Sequence, residues 1–249
     1  MTEESLPAEP AKTTTPDAVS GVMPLLDHLS ELRNRIFKMV LAVLVASGFG
    51  WFAATTVRNY LLDQLPGHKA QVLGPGDAFF IQVKISLTIG VILAMPILLY
   101  QLWAFIAPGL TQAERKTIRP WIPLALLLFA IGVGIAYLVL PFAIAFLLGF
   151  TDNQLVNGIA ATPYFDFVTT LFLAFGLIME FPIVLYGLSL VGVISSAWMS
   201  KNRRMIILGI VAFSAIITPG GDLVSPTVLA ITMYVLTELT RITIKRSGR

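Results

Sequence analysis

The sequence lacks cysteine altogether and has only two histidines, and these shortages exclude most catalytic and metal-binding sites. Without cysteine there is no disulfide, no thiol nucleophile and no thiolate ligand for a metal. His28 and His68 lie outside the long apolar runs, so these runs contain neither a serine–histidine pair nor an HExxH motif. We therefore predict no catalytic residue, no metal, no cofactor and no enzymatic activity.

Charged residues are also scarce, since Asp, Glu, Lys and Arg make up only 12% of the 249 residues, whereas 56% are hydrophobic. This is about half the charged fraction of an average soluble protein, and the mean hydropathy is +0.83. The composition predicts an integral membrane protein. The net charge of +3 does not indicate binding to nucleic acid, because the basic residues stand in the segments between apolar runs.

The apolar runs predict helices that enter a lipid bilayer. About 20 helical residues are needed to cross ~30 Å of hydrocarbon, and four runs reach this length. The last two runs would reach only ~20 Å each, so they are either thin spans that compress the bilayer or one re-entrant hairpin. The predicted runs cover approximately residues 36–57, 77–105, 121–140, 162–191, 205–217 and 226–239.

The positions of lysine and arginine predict the orientation. All but three of the 17 basic residues fall on the N-terminal side of the membrane, the exceptions being Arg58, Lys69 and Lys84. The positive-inside rule then places both termini in the cytoplasm. Residues 1–22 are predicted to be a disordered cytoplasmic tail without a cleaved signal peptide, 23–239 a single membrane domain, and 240–249 a basic cytoplasmic tail.

Two carboxylates near the predicted cytoplasmic ends of the helices each have two interpretations. Glu31 is four residues from Arg35, so the two can form a helix ion pair worth only a few tenths of a kcal/mol. Thr111 and Glu114 have the spacing of a capping box. Alternatively, each carboxylate accepts hydrogen bonds from a cationic partner at the membrane surface. The residues themselves leave both interpretations open.

Glu180 is the one carboxylate that lies well inside a predicted span. An ionised carboxylate at a helix centre costs ~2.5 to 3.5 kcal/mol on insertion scales, so such a residue faces a cavity, a partner or holds its proton. A neutral structural hydrogen bond is the alternative. Lys84, two turns into the second span, is predicted to snorkel to the outer interface.

Two motifs stand at the predicted cytoplasmic ends of the first two spans. They are Tyr100-Gln101, Trp103, Phe105-Ile106-Ala107-Pro108, Leu110 and Glu114-Arg115, together with His28-Leu29-Ser30-Glu31-Leu32-Arg33-Asn34-Arg35. Together they resemble the TatC family, the multi-spanning core of the twin-arginine protein translocase. The resemblance extends from about residue 24 to residue 239 and implies a six-helix fold with two thin last spans. We therefore predict an all-α polytopic membrane protein of about six transmembrane helices.

The resemblance implies a twin-arginine signal-peptide receptor and assembly core of a translocase in the plasma (inner) membrane. Such a translocase exports folded proteins with the proton-motive force and with TatA-type and TatB-type single-span partners, in an oligomeric complex. A proton-coupled small-molecule transporter with Glu180 as its coupling site is the alternative. The implied signal-peptide residues are Glu31, Glu114, Arg33, Phe105 and His28. The implied intramembrane polar site, where partner helices bind, comprises Glu180, Thr218, Asp222 and Gln101.

One segment departs from the family pattern. TatC proteins commonly carry a Thr-Pro-Pro-Asp run ending in Ser-Gln, whereas this chain has an extra residue and a proline in place of the glutamine between Thr218 and Pro226. Transfer of a partner-helix contact to Thr218 and Asp222 is therefore weaker. Ser225 and Pro226 are predicted to be the N-cap and first residue of the last helix.

Overall fold

The computed structural model describes residues 23–109, 111–112, 115–116, 121–150, 158–218 and 221–247. Within these ranges the chain is almost entirely helical, and two short 3-10 turns lie at Pro66–His68 and Ala107–Gly109. The α-helices are α1 Met23–Leu62, α2 Asp77–Ile106, α3 Trp121–Leu148, α4 Ala161–Ile178, α5 Phe181–Leu190, α6 Ser196–Lys201, α7 Arg203–Ile217 and α8 Val224–Arg246.

Five helical segments of the described chain are long and apolar enough to cross a membrane, namely α1, α2, α3, α4 together with α5, and α8. The all-helical, polytopic fold is thus confirmed. α7 has 15 residues and a length of ~22 Å, less than the ~30 Å hydrocarbon core. α8 differs from its predicted short length, because its 23 residues continue as helix through the polar residues beyond Leu239.

α1 and α2 pack closely because small residues face each other along their contact. A Cβ atom on Gly90 would lie 2.7 Å from the backbone nitrogen of Ser47, and one on Gly50 would lie 2.6 Å from the carbonyl oxygen of Ser86. Small residues allow helix backbones to approach in this way inside membranes, where van der Waals contact replaces the hydrophobic effect. The two helices therefore form a tight pair.

The core lies around α4. Phe165, Leu171 and Phe175 of α4 are fully buried, as is Leu140 of α3. Close contact between α3 and α4 again depends on a glycine, since a Cβ on Gly132 would lie 2.4 Å from the carbonyl oxygen of Phe175. α4 is thus fixed against its neighbours, which also fixes the position of the residues at its end.

A break separates α4 from α5 at Met179 and Glu180. Proline inside a helix lacks the amide hydrogen and its ring clashes with the carbonyl four residues earlier. Pro182 stands in the first turn of α5, so the carbonyl affected is that of Ile178, the last residue of α4. The proline therefore accounts for the break, and Glu180 lies directly at it.

The start of α8 differs from the prediction that Ser225 is its N-cap. The helix begins at Val224, and Oδ1 of Asp222 accepts a hydrogen bond of 2.6 Å from the backbone amide of Ser225. The carboxylate of Asp222 thus satisfies an amide of the first turn, as a capping side chain does. The acidic residue upstream takes the place expected for the serine hydroxyl.

Candidate functional site

Glu31, Arg35 and Gln101 join α1 to α2 at the end of the bundle where α1 begins. Oε1 of Glu31 accepts a hydrogen bond of 2.9 Å from Nε of Arg35 and a second one from Nη2. Nη1 of Arg35 donates to Oε1 of Gln101 at 3.3 Å. The predicted helix ion pair is therefore confirmed, and Arg35 extends it to the neighbouring helix.

The second carboxylate oxygen of Glu31 is differently placed. Nδ1 of His28 lies 3.9 Å from Oε2, which is beyond hydrogen-bond distance. The side chain of Glu31 remains 35% exposed. Arg35 therefore holds one oxygen of Glu31 and leaves Oε2 open to an external donor.

His28 and Phe105 come together although 77 positions separate them in the sequence. Their rings stack with centroids 4.4 Å apart and an interplanar angle of 14°. Offset ring contacts of this kind are worth roughly 0.5–1.5 kcal/mol beyond area burial. The stack fixes the first turns of α1 against the last turn of α2, beside Glu31.

The other two residues predicted for the signal-peptide site are Arg33 and Glu114. The Arg33 side chain is exposed and makes no hydrogen bond within the described chain. Because Arg33 is two positions from Glu31, the two side chains lie on different faces of α1. Glu114 lies outside the described residues. Its neighbour Arg115 is described, and its guanidinium carbon lies 5.4 Å from the centre of the Trp103 ring, a cation–π contact at the end of α2.

The four residues predicted for the intramembrane polar site separate into three places. Gln101 contacts Arg35 and so belongs with the charged cluster of α1 and α2. Thr218 and Asp222 are both buried in the connection between α7 and α8. The Thr218 hydroxyl donates to the carbonyl of Ser214 at 2.7 Å, and Asp222 caps α8. The Thr218 hydroxyl and Oδ1 of Asp222 are thus engaged, whereas Oδ2 of Asp222 is covered and has no hydrogen-bond partner within the described residues.

Glu180 stands apart from those residues at the break between α4 and α5. Its side chain is partly buried, and its Oε1 atom is fully covered yet has no hydrogen-bond partner within the described chain. An unsatisfied carboxyl oxygen in a membrane-spanning segment is costly. The position is therefore suited to a donor that another molecule supplies, or to a proton.

An ion pair between Lys84 of α2 and Asp166 of α4 was missed from the sequence. The ammonium group of Lys84 contacts the neighbouring helix, and its snorkelling to the outer interface stays a prediction. The two side chains remain 39% and 49% exposed. A signal was available, since Lys84 lies about two turns into α2 and Asp166 about one and a half turns into α4, and the two helices are predicted to start on the same side of the membrane.

These features define a polytopic helical membrane protein with a half-open carboxylate in a charged cluster at one end and an unpartnered carboxyl oxygen inside a span. The sequence model of TatC, described as the Sec-independent protein translocase protein, matches residues 27–231. TatC of Aquifex aeolicus is 38% identical over 228 residues, which cover 87% of this chain and 92% of that protein. TatCy of Bacillus subtilis is 31% identical over 231 residues, 91% of each chain.

A solved structure agrees with these relatives. The crystal structure of the twin-arginine translocase receptor TatC superposes with a TM-score of 0.75 at 36% identity, covering 89% of this chain and 100% of that chain. The chain belongs to the TatC family of Sec-independent protein translocase proteins. The resemblance inferred from the two motifs is thus confirmed, and the comparisons do not favour the small-molecule transporter.

Proposed function

We propose that the protein is the receptor for twin-arginine signal peptides and the assembly core of a translocase that exports folded proteins. The observation that carries the proposal is the half-open carboxylate of Glu31. Arginine guanidinium groups donate strong, charge-assisted hydrogen bonds to carboxylates. Arg35 orients Glu31 while Oε2 stays available for an arginine of the signal peptide. Glu114 is proposed as the second acceptor, with His28, Arg33 and Phe105 shaping the site.

Ion pairs alone do not suffice for tight recognition, because exposed pairs are worth less than about 1 kcal/mol each. The apolar segment of a signal peptide would supply the rest by burying surface. An apolar cavity of about 270 Å³ lies between α2, α3 and α5 beside Trp103. Trp103 lines this cavity and also makes the cation–π contact with Arg115, which supports a site in which charged and apolar contacts act together.

The proposal includes the orientation and the partners. Both termini face the cytoplasm in the plasma (inner) membrane, as the distribution of lysine and arginine indicates. TatA-type and TatB-type single-span proteins join the receptor in an oligomeric complex that uses the proton-motive force. Glu180, whose Oε1 lacks a partner, is proposed to accept a hydrogen bond from a partner helix, with Gln101, Thr218 and Asp222 as further polar contacts.

Binding of a labelled twin-arginine signal peptide to the purified protein tests the receptor site, with a twin-lysine peptide for comparison. The variants are Glu31→Gln and Glu114→Gln, because glutamine removes the charge and still fits a capping box. We expect each variant to weaken binding of the arginine peptide about tenfold through loss of a charge-assisted pair. Asp63→Asn removes an exposed carboxylate of the opposite loop and serves as the matched control.

The two possible results lead to different conclusions. Selective binding of the arginine peptide that both glutamine variants weaken, and the control does not, supports the receptor. If both variants bind the peptide like the unchanged protein, the carboxylate site is wrong. Glu180→Gln is expected to keep peptide binding and lose export, since its side chain is proposed to act on partner helices.

A further inference from the structure

A second apolar cavity, of about 320 Å³, lies between α5, α6, α7 and α8. Two of its lining side chains carry polar groups: the Thr237 hydroxyl, which donates to the carbonyl of Met233 on its own helix at 2.7 Å, and the indole N–H of Trp198 at one end. Apart from that indole, the lining is apolar or bonded within its own helix, so the interior of the cavity suits an apolar ligand. The residues that define the cavity include Phe181, Leu185, Trp198, Gly209, Phe213 and Met233.

The depth of this cavity matches one leaflet of a bilayer. α7 begins at Arg203, and Phe213 lies ten residues further along, which is ~15 Å of helix. The hydrocarbon core is ~30 Å thick, so one leaflet takes half of it. Trp198, 51% exposed, stands at the Arg203 end, where interfacial tryptophans are common.

Basic residues surround the interfacial end of the cavity. Lys201, Arg203 and Arg204 lie in the segment that joins two of its lining residues, Met199 and Ile206. Arg203 is engaged, because Nη2 lies 3.4 Å from Oε1 of Glu238 and also contacts the Tyr234 hydroxyl. The side chains of Lys201 and Arg204 are exposed and make no hydrogen bond within the described chain.

Glu238, the acidic residue near these basic residues, does not repel an anionic ligand, because its charge is compensated. Oε1 of Glu238 accepts from Nη2 of Arg241 at 2.6 Å in addition to its ion pair with Arg203. Nη1 of Arg241 donates to the Ser200 hydroxyl at 3.0 Å, which ties α8 to α6. Two arginines thus share one carboxylate, and the mouth of the cavity is left net positive.

We propose that an anionic phospholipid of the leaflet on the Arg203 side binds here, with an acyl chain in the cavity and its phosphate on Lys201 and Arg204. An acyl chain fits the apolar lining and the one-leaflet depth, whereas a whole helix of ~10 Å diameter is too wide. Basic pockets between membrane helices bind anionic head groups in the same way. This lipid is independent of the signal-peptide site at α1 and α2.

A lipid titration of the purified full-length protein by native mass spectrometry tests the site, with phosphatidylglycerol, phosphatidylcholine and glycerol 3-phosphate as probes. Gly209→Leu adds a side chain at a position that lines the cavity, where a Cβ has no atom within 4 Å. We expect phosphatidylglycerol to bind about tenfold more tightly than phosphatidylcholine. We also expect Gly209→Leu to weaken binding of both lipids about tenfold.

Matched variants separate the two parts of the site. Lys201→Gln/Arg204→Gln is expected to abolish the preference for phosphatidylglycerol while phosphatidylcholine still binds. Lys245→Gln/Arg246→Gln removes the same charge from the end of α8 and is expected to keep the preference. Gly187→Leu adds the same side chain at a position that lines the other apolar cavity, where a Cβ again has no atom within 4 Å, and is expected to leave lipid binding unchanged.

Cross-linking with a photoactivatable phosphatidylglycerol needs no variant, and labels on the segments that line the cavity, 181–185, 194–213 and 233–237, support the site. Labels elsewhere only would overturn it, as would unchanged lipid binding by Gly209→Leu. If glycerol 3-phosphate displaced phosphatidylglycerol at equal concentration, Lys201 and Arg204 would bind a free phosphate group and not a lipid head group, and the proposal would be wrong. If the Gly209→Leu variant lost binding of a single-span partner protein but still bound lipid, the cavity would be the site of a partner helix and not of a lipid.

Discussion

The ion pair of Lys84 and Asp166 tests how strongly a single pair contributes inside a membrane protein. Exposed pairs contribute 0–1 kcal/mol and broken buried pairs cost about 3–5 kcal/mol. Because both side chains are partly exposed, we expect a coupling energy of about 1–2 kcal/mol, discounted for solvent screening. A double-mutant cycle of Lys84→Ala and Asp166→Ala, read from unfolding in detergent, measures it.

The loop pair of His68 and Asp63 provides the matched comparison. Nδ1 of His68 lies 3.7 Å from Oδ1 of Asp63, and the two side chains are 69% and 70% exposed. The corresponding cycle should therefore give a coupling near zero. A value for Lys84 and Asp166 no larger than the value for this loop pair would show that the membrane pair contributes nothing to stability.

At the scale of the element, the contact of α1 with α2 depends on the absence of a side chain at Gly90. An added methyl group would meet the backbone of Ser47, which cannot move aside as a flexible side chain does. We expect Gly90→Ala to destabilise the protein by about 1–3 kcal/mol, as overpacking does. Thermal unfolding in detergent measures this.

Gly134 of α3 is the control for that substitution, because a Cβ there has no atom within 4 Å. Gly134→Ala gains helix propensity of up to about 1 kcal/mol and meets no neighbour. It should therefore raise the stability or leave it unchanged. Equal melting temperatures of the two variants would mean that α1 and α2 separate easily enough to accommodate the methyl group.

The helices could be predicted from the sequence far better than their contacts could. Uninterrupted apolar runs determine where spans lie, and four of the five full-length spans were located in this way. The end of α8 was missed because its last turns are polar, and a helix held by backbone hydrogen bonds does not need to be apolar. Hydropathy measures lipid compatibility, not helix length.

The candidate site shows the same limit. The pair of Glu31 with Arg35 follows from a four-residue spacing within one helix and was foreseen. The contact of Arg35 with Gln101 joins residues 66 positions apart, and the pair of Lys84 with Asp166 joins residues 82 positions apart. Such contacts depend on the relative rotation and position of two helices. The spacing of residues along the sequence gives no information on either.

For the whole molecule, the short α7 decides on which side of the membrane the chain ends. Five full-length spans alone would leave the two termini on opposite sides, whereas a sixth crossing by α7 returns the C-terminus to the side of the N-terminus. At ~22 Å, α7 can cross only where the bilayer is thinned or where its outer end stays below the surface. The orientation proposed above therefore requires that α7 crosses.

Single cysteines can test this crossing, because the chain has no other thiol. We expect a membrane-impermeant maleimide added to intact cells to label Lys69→Cys and to leave Asn34→Cys and Ser247→Cys unlabelled. Leu223→Cys, in the turn after α7, should react from outside but more slowly than Lys69→Cys, since a short helix holds this turn beneath the surface. Labelling of Ser247→Cys from outside would mean that α7 folds back without crossing, and the proposed position of the C-terminus would then be wrong.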